Sequence, residues 1–267
     1  MGKGGMKTFL LRTLARLGLL RPTYRGYERL RGLGSDREAA VADSLPLPPA
    51  KLRVRVAGNA DAAWFLEGGR LAEETIRGAL ERAGMRLDDV VAILDCGCGC
   101  GRVTRWLAGH QGEIRGSDFD GPAVQWCREN LPFASFVHNG LKPPLPFAAG
   151  EFDLVYAFSV LTHLPVNLQH AWVAELARVV RPSGLLLLST HGRRYLGRLS
   201  GDERARFERG EVVVRFEQVA GTNLCTAFHP PDYVKTKLAV GLELVEEAPE
   251  GAKGNPHQDL FLFRKPA

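Results

Sequence analysis

No stretch of this 267-residue chain runs uninterrupted through the roughly 18 apolar residues a membrane-spanning helix needs. Cysteine is sparse and poorly spaced for chemistry: Cys96, Cys98 and Cys100 alternate with glycine, and Cys127 and Cys225 stand alone. Thiolate ligands for zinc come as C-x₂₋₄-C with a second pair nearby. No second pair is present here, and His110 and His138 lack ligand spacing, so no metal is expected. C-x-x-C is absent, which removes a thioredoxin-like redox site. An odd cysteine count in a long chain also argues against a secreted disulfide scaffold and for a reducing, cytoplasmic location. Internal repeats and low-complexity tracts are lacking as well.

The body of the chain lacks an excess of either charge. Residues 1–31 hold eight Lys and Arg against Glu28 alone, so the remaining 236 residues carry 27 basic and 29 acidic side chains. A near-neutral body lacks the basic surface expected of a nucleic-acid binder. The arm is a basic amphipathic segment: Leu10, Leu14 and Leu17 repeat at helical spacing, with Thr8, Arg12 and Arg16 on another face. Arg12 and Arg16 interrupt any signal-peptide core, and no small-residue cleavage site lies beyond them. Two expectations stand for the arm: packing on the body or a partner, or peripheral contact with an anionic membrane through residues 1–31.

A proline-rich segment, "SLPLPPA" at 44–50, separates the arm from the rest of the chain and predicts two units, 1–50 and 51–267. Helical spacing marks 64–84, closed by Gly84. From residue 90, apolar runs alternate with helical patterns. Strands are expected at 90–94, 113–117, 135–138, 152–158 and 185–190, with helices beginning at 103–108 and spanning 122–131 and 166–180. Strands that are apolar throughout, alternating with helices, imply a parallel sheet covered on both faces. A last helix at 231–240 precedes two alternating runs, "LELVEEA" and "DLFLFRK", which suit a terminal antiparallel pair. The irregular 192–229 stretch, with Arg193, Arg194, Tyr195 and Arg198, is positioned like a substrate lid.

The run "VVAILDCGCGCGR" joins a strand ending at Asp95 to the segment after Arg102. Open α/β sheets bind ligands at such strand ends, where glycine lets the backbone approach. The dinucleotide pattern G-x-G-x-x-G fails in both registers, since its sixth position falls on Arg102 or Thr104. The phosphate-loop pattern also fails for want of a lysine. The pattern that stands is D-x-G-x-G-x-G, and seventeen residues past Gly101 comes Asp118 at the end of the second strand. An acidic side chain there accepts both ribose hydroxyls. The site therefore wants a nucleoside and has little demand for pyrophosphate. The interleaved cysteines serve as small apolar packing behind the loop.

Four segments in register, "VVAILDCGCGCGR", "IRGSDFDGPAVQWCRENL", "LPFAAGEFDLVYAFSVLTHL" and "ELARVVRPSGLLLLSTHG", resemble successive motifs of the class I S-adenosylmethionine-dependent methyltransferases. That resemblance implies an α/β, three-layer, Rossmann-like seven-stranded sheet with an antiparallel last strand, here preceded by the helical arm. It implies S-adenosylmethionine as cofactor, with Asp95, Gly97, Gly99 and Gly101 at its methionyl end. Asp118 would take the ribose and Phe119 border the adenine. Asn139 and Gly140 stand where the family often has an acidic residue facing the adenine amine, and Phe158 and Ser159 would wall the methionyl group. "PSG" at 182–184 departs from the usual P-G-G in a turn.

Methyl transfer to a hydroxyl needs a proton acceptor. His163, just past the fourth strand, is the first candidate, with His191 and His229 as others. The Asp/Asn/Ser-Pro-Pro-aromatic stretch of nucleic-acid amine methylases is missing after the fourth strand, where "AFSV" stands. The expected acceptor is therefore an O or N atom of a small molecule, sugar or lipid-linked glycan. A nicotinamide-dependent oxidoreductase and a non-catalytic cofactor-binding scaffold remain the alternatives. Oligomeric state leaves no mark on the sequence.

Overall fold

The computed structural model describes residues 3–33, 44–254 and 257–267; residues 1–2, 34–43 and 255–256 lie outside it, as do the side chains of 3–9, Lys3, Lys7 and Thr8 among them. The arm forms two helices, α1 (Lys3–Arg16) and α2 (Leu20–Arg31). Helix α1 packs through Leu11, Leu14 and Ala15 onto Leu20, Val219 and Cys225. The expected face is thus rotated. Leu10 and Leu17 are 58% and 65% exposed, because the helix ends at Arg16 and leaves Leu17 in the turn before α2. The proline-rich segment is held against the body: Arg105 donates to the carbonyls of Leu45 and Pro46 at 3.1 and 3.3 Å. Helix α3 (Ala50–Ala57) comes next, then α4 (Ala62–Arg82), whose N-cap Asp61 accepts from the Trp64 N–H at 2.6 Å.

Strands β1 (Ala92–Cys96), β2 (Glu113–Asp118), β3 (Ser135–His138), β4 (Phe152–Ala157) and β5 (Val180–Thr190) pair in parallel. Helix α5 (Gly121–Asn130) crosses from β2 to β3, and α6 (Val166–Val179) leads from β4 to β5. A separate layer over the sheet's end holds α7 (Gly201–Glu208) and the antiparallel pair β6 (Val213–Arg215) and β7 (Thr226–Phe228). The chain closes with β8 (Glu243–Ala252) and β9 (Gln258–Arg264), giving the sheet order β3-β2-β1-β4-β5-β9-β8 with β9 antiparallel to both neighbours. This is the expected seven-stranded sheet with its last strand reversed.

Successive strand residues enter opposite cores, as the period of two requires. Ile93, Leu154, Tyr156, Leu185 and Leu187 face α4 through Ala72, Ile76 and Leu80. Leu94, Val155, Ala157, Leu186 and Leu188 face α6 through Leu168, Trp172 and Leu176. Leu185 to Leu188 are all fully buried, each contributing roughly 1.5–3 kcal/mol relative to exposure. The result is three layers, helix on sheet on helix.

Two helices differ from expectation. The segment after the glycine loop forms only a 3₁₀ run, Thr104–Leu107. Neighbouring side chains there are drawn to separate partners, Thr104 to Asp95 and Arg105 to the proline-rich segment and the ring of Phe65. Gly109 and Gly112 then return the chain to β2. Near the C-terminus, the short helical turn Pro231–Tyr233 widens into a π-helical turn, Val234–Leu238.

Candidate cofactor and acceptor site

A cavity of about 770 Å³ opens at the carboxyl ends of β1, β2, β4 and β5, roofed by α2, α3 and residues 221–226. That edge is where open α/β sheets hold ligands, and the volume is in the range of small-molecule sites. Asp95 and Asp118, Gly97 and Gly99, Phe119, Asn139 and Gly140, Phe158 and Ser159, and His163 all line it. Gly101 does not: a Cβ there would lie 2.3 Å from Leu131, on the far side of the loop.

The loop keeps its shape through glycine. Gly97 and Gly99 have φ of 82° and 54°, and a Cβ on either would lie 2.3 Å from Val160 or 2.7 Å from Val56. Both conformation and space therefore demand glycine. The cysteines between them are buried: Cys96 joins the α6-side core, Cys98 packs with Val124 and Phe136, and Cys100 packs with Phe65. Burial pushes the Cys96 thiol up to about 12, leaving it protonated and inert.

Asp118 ties the loop to β2. Its Oδ2 accepts from the Gly99 N–H at 2.8 Å and its Oδ1 from the Asp120 N–H at 2.8 Å. Burial pushes its carboxyl up to about 6 against these two donors. Asp95 accepts from the Thr104 hydroxyl at 2.6 Å, and burial likewise lifts it to about 6. Of the residues lining the cavity, two keep a buried polar atom with no hydrogen-bond partner among the described residues: Asn139 at Oδ1 and Arg102 at Nη1. Asn139 thus presents a bare acceptor, which an exocyclic amine satisfies. Arg102, beside Asp95, offers a donor to a carboxylate. The ring of Phe119 is 37% exposed, and Gly221 packs so tightly on it that a Cβ would lie 2.7 Å away.

At the other end, Ser159 sits at φ 60°, a strained conformation for a non-glycine residue. It is held by its N–H donating to Ser189 at 2.9 Å and by Gln258 donating to its hydroxyl at 2.6 Å. His163 has Nδ1 2.8 Å from the Cys225 carbonyl. A carbonyl only accepts, so Nδ1 carries the proton and Nε2 keeps its lone pair. Burial holds its pKa below the ordinary imidazole value, the carbonyl opposing. His191 lines the cavity too, and burial, reinforced by His163, lowers it to about 3. His229 does not reach the cavity; it is fully buried with Nε2 3.1 Å from the Gln169 amide oxygen.

Several lining residues leave little trace in the sequence. Arg55 of α3 binds both oxygens of Asp120 at 3.0 and 2.8 Å, and Asn223 donates to the Arg55 carbonyl at 2.8 Å, closing the roof. Arg21, Arg25 and Arg29 of α2 also face the cavity. Their spacing of four was the available signal, since it sets three cations on one helix face.

Sheet order and loop chemistry together resemble those of the class I S-adenosylmethionine-dependent methyltransferases. Residues 93–184, from β1 into β5, match the methyltransferase-domain family. An uncharacterized methyltransferase of Synechocystis sp. is 36% identical over 97 residues, 36% of this chain and 45% of that protein. Trans-aconitate 2-methyltransferase of Azoarcus sp. is 32% identical over 123 residues, 45% of this chain and 47% of that one. The chain spans under half the length of these curated relatives. A methyltransferase structure from Methanosarcina mazei shares the fold, with a TM-score of 0.51 at 20% identity over 67% of this chain and 93% of that one. S-adenosylmethionine is the family's cofactor, and the bare acceptor of Asn139, the buried Asp118 and the unpartnered Arg102 fit its amine, ribose and carboxylate.

Proposed function

We propose that this protein transfers a methyl group from S-adenosylmethionine to an oxygen or nitrogen of a small-molecule, sugar or lipid-linked glycan acceptor, with His163 as the proton acceptor. The observation that carries this reading is a nucleoside-shaped set of groups sharing one cavity with a neutral histidine of fixed tautomer. When bound, the cofactor supplies an electrophilic methyl on sulfur, and transfer needs the acceptor's lone pair aligned with it. Asp118 would hold the ribose, Asn139 the adenine amine and Arg102 the carboxylate. His163 Nε2 would take the hydroxyl proton as the new carbon–oxygen bond forms. Ser159, Ser189 and Gln258 would keep the wall beside that exchange rigid.

Hydride transfer from a nicotinamide dinucleotide finds no support. That chemistry places pyrophosphate at a helix N-terminus on a sheet ordered 3-2-1-4-5-6. Here the loop enters a 3₁₀ turn and the sixth position is a reversed strand.

The test is turnover of labelled cofactor across an acceptor library, comparing wild type with His163→Gln. For hydroxyl acceptors the variant should lose about 10²–10⁴ in kcat, with S-adenosylhomocysteine affinity kept within about twofold. Full kcat in the variant removes the base role.

A second proposal concerns the arm. No helix among the described residues is long and apolar enough to cross a membrane, but Leu10, Leu17, Tyr27 and Leu30 are more than half exposed in this basic segment, as is Leu33 just beyond it. These features support peripheral contact with an anionic bilayer through residues 1–31.

A further inference from the structure

The cavity carries more cations than the cofactor can use. Six guanidiniums line it against four carboxylates. Arg55 is committed to Asp120 and lies 3.9 Å from Glu28. Arg102 is buried near Asp95 and matches the single carboxylate of S-adenosylmethionine. Arg21, Arg25, Arg29 and Arg198 remain, and none of the four is in an ion pair among the described residues.

Their placement along the cavity is ordered. Arg21 is tethered by Nη2 to the Ala220 carbonyl at 3.2 Å. The adjacent Leu20, 2% exposed, packs with Val219 and Cys225, and Cys225 holds His163. The start of α2 therefore covers the His163 end. Its last turns, with Glu28 and Arg29, approach Arg55 and Asp120 at the ribose end. Arg198 lies 4.9 Å from the Tyr195 ring, which packs 4.3 Å from His191. Its charge helps to keep His191 neutral. Arg21 and Arg198 thus belong to different layers that both border the acceptor end.

We infer that the acceptor is an anion, a small molecule bearing a carboxylate or phosphate group, held between Arg21 of α2 and Arg198 of the 193–198 turn. This rests on the methyl-transfer reading and names the substrate class for it. Unpaired guanidiniums around one cavity repel one another, and a bound anion relieves that repulsion. Arginine's planar fork matches carboxylate and phosphate oxygens in pairs. The surplus charge of residues 1–31 would also draw such a ligand toward the mouth.

Calorimetry on the full chain saturated with S-adenosylhomocysteine tests this, with citrate titrated in one arm and pyrophosphate in the other at fixed ionic strength. At least one anion should bind the wild type. Its affinity should fall about tenfold or more in Arg21→Gln and in Arg198→Gln, with Arg198→Lys retaining part of it. Citrate alone indicates carboxylate acceptors, and pyrophosphate alone indicates phosphate-bearing ones. S-adenosylhomocysteine affinity within about twofold of wild type certifies that each variant is folded. No anion binding by the saturated wild type, or unchanged affinity in both Gln variants, overturns the inference. Failure of the wild type to bind S-adenosylhomocysteine overturns the methyl-transfer reading instead.

Discussion

Both oxygens of Asp118 already accept backbone N–H groups, yet each keeps a lone pair for a ribose hydroxyl. Its carboxyl is lifted by burial from 3.8 to about 6, so ionising it in the folded protein costs stability. That cost is absent below the ordinary value and grows as pH rises through about 6, so the ligand-free fold loses stability over that window. Ribose hydroxyls donate best to the ionised form. Cofactor affinity should therefore climb as pH rises through about 6, being about tenfold weaker at pH 5 than at pH 7. Calorimetry across that range checks it: Asp118→Asn should flatten the profile, and an equally steep profile in the variant assigns the titration elsewhere. Gly97, Gly99 and Asp118 were legible as positions at the cavity because strand ends and glycine turns mark them locally, whereas Gly101, expected with them, faces Leu131 instead. Arg102 was legible only as a residue that broke the dinucleotide register. Its burial depends on the close approach of α4, which no local spacing reports.

Helix α4 approaches the loop at Gly69, where a Cβ would lie 1.9 Å from the Arg102 carbonyl oxygen. Gly78 on the same helix meets only the mobile end of Arg82, at 3.2 Å. Gly69→Ala should lose about 1–3 kcal/mol to forced displacement. Gly78→Ala should gain about 0.5–1 kcal/mol from helix propensity. Denaturant unfolding of both variants measures the contrast, and equal effects would contradict the packing described for α4. Sheet elements were readable because β1, β4 and β5 are apolar on both faces; β9, expected to alternate, is instead buried on both faces, lying inside the sheet between β5 and β8. The 3₁₀ run at Thr104–Leu107 was not, because its residues answer to Asp95, Leu45 and Pro46, distant in sequence. The α7 start was present in the sequence as Ser200-x-x-Glu203, a reciprocal cap in which the Ser200 N–H donates to Glu203 at 2.8 Å.

Across the whole molecule, the arm lies over the ligand cavity, joining its own arginines to groups on four strand ends. Its inner side packs on Val219 and Cys225, and its outer side leaves Leu30 and Leu33 70% and 74% exposed. Pelleting with phosphatidylserine-rich vesicles should therefore drop markedly for the Leu30→Glu, Leu33→Glu double variant; equal pelleting removes the membrane proposal. The arm's net charge was plain from composition, but its position was not, since docking depends on residues 217–225 at the opposite end of the chain. The central claim is that Asp118 and the glycine loop form an S-adenosylmethionine site. Calorimetry of wild type and Asp118→Ala with S-adenosylmethionine and S-adenosylhomocysteine tests it most directly. Wild type should bind both, and Asp118→Ala should weaken each by about tenfold to a hundredfold, the loss expected for hydrogen bonds to a charged group. No binding by the wild type, or equal affinity in the variant, would contradict it.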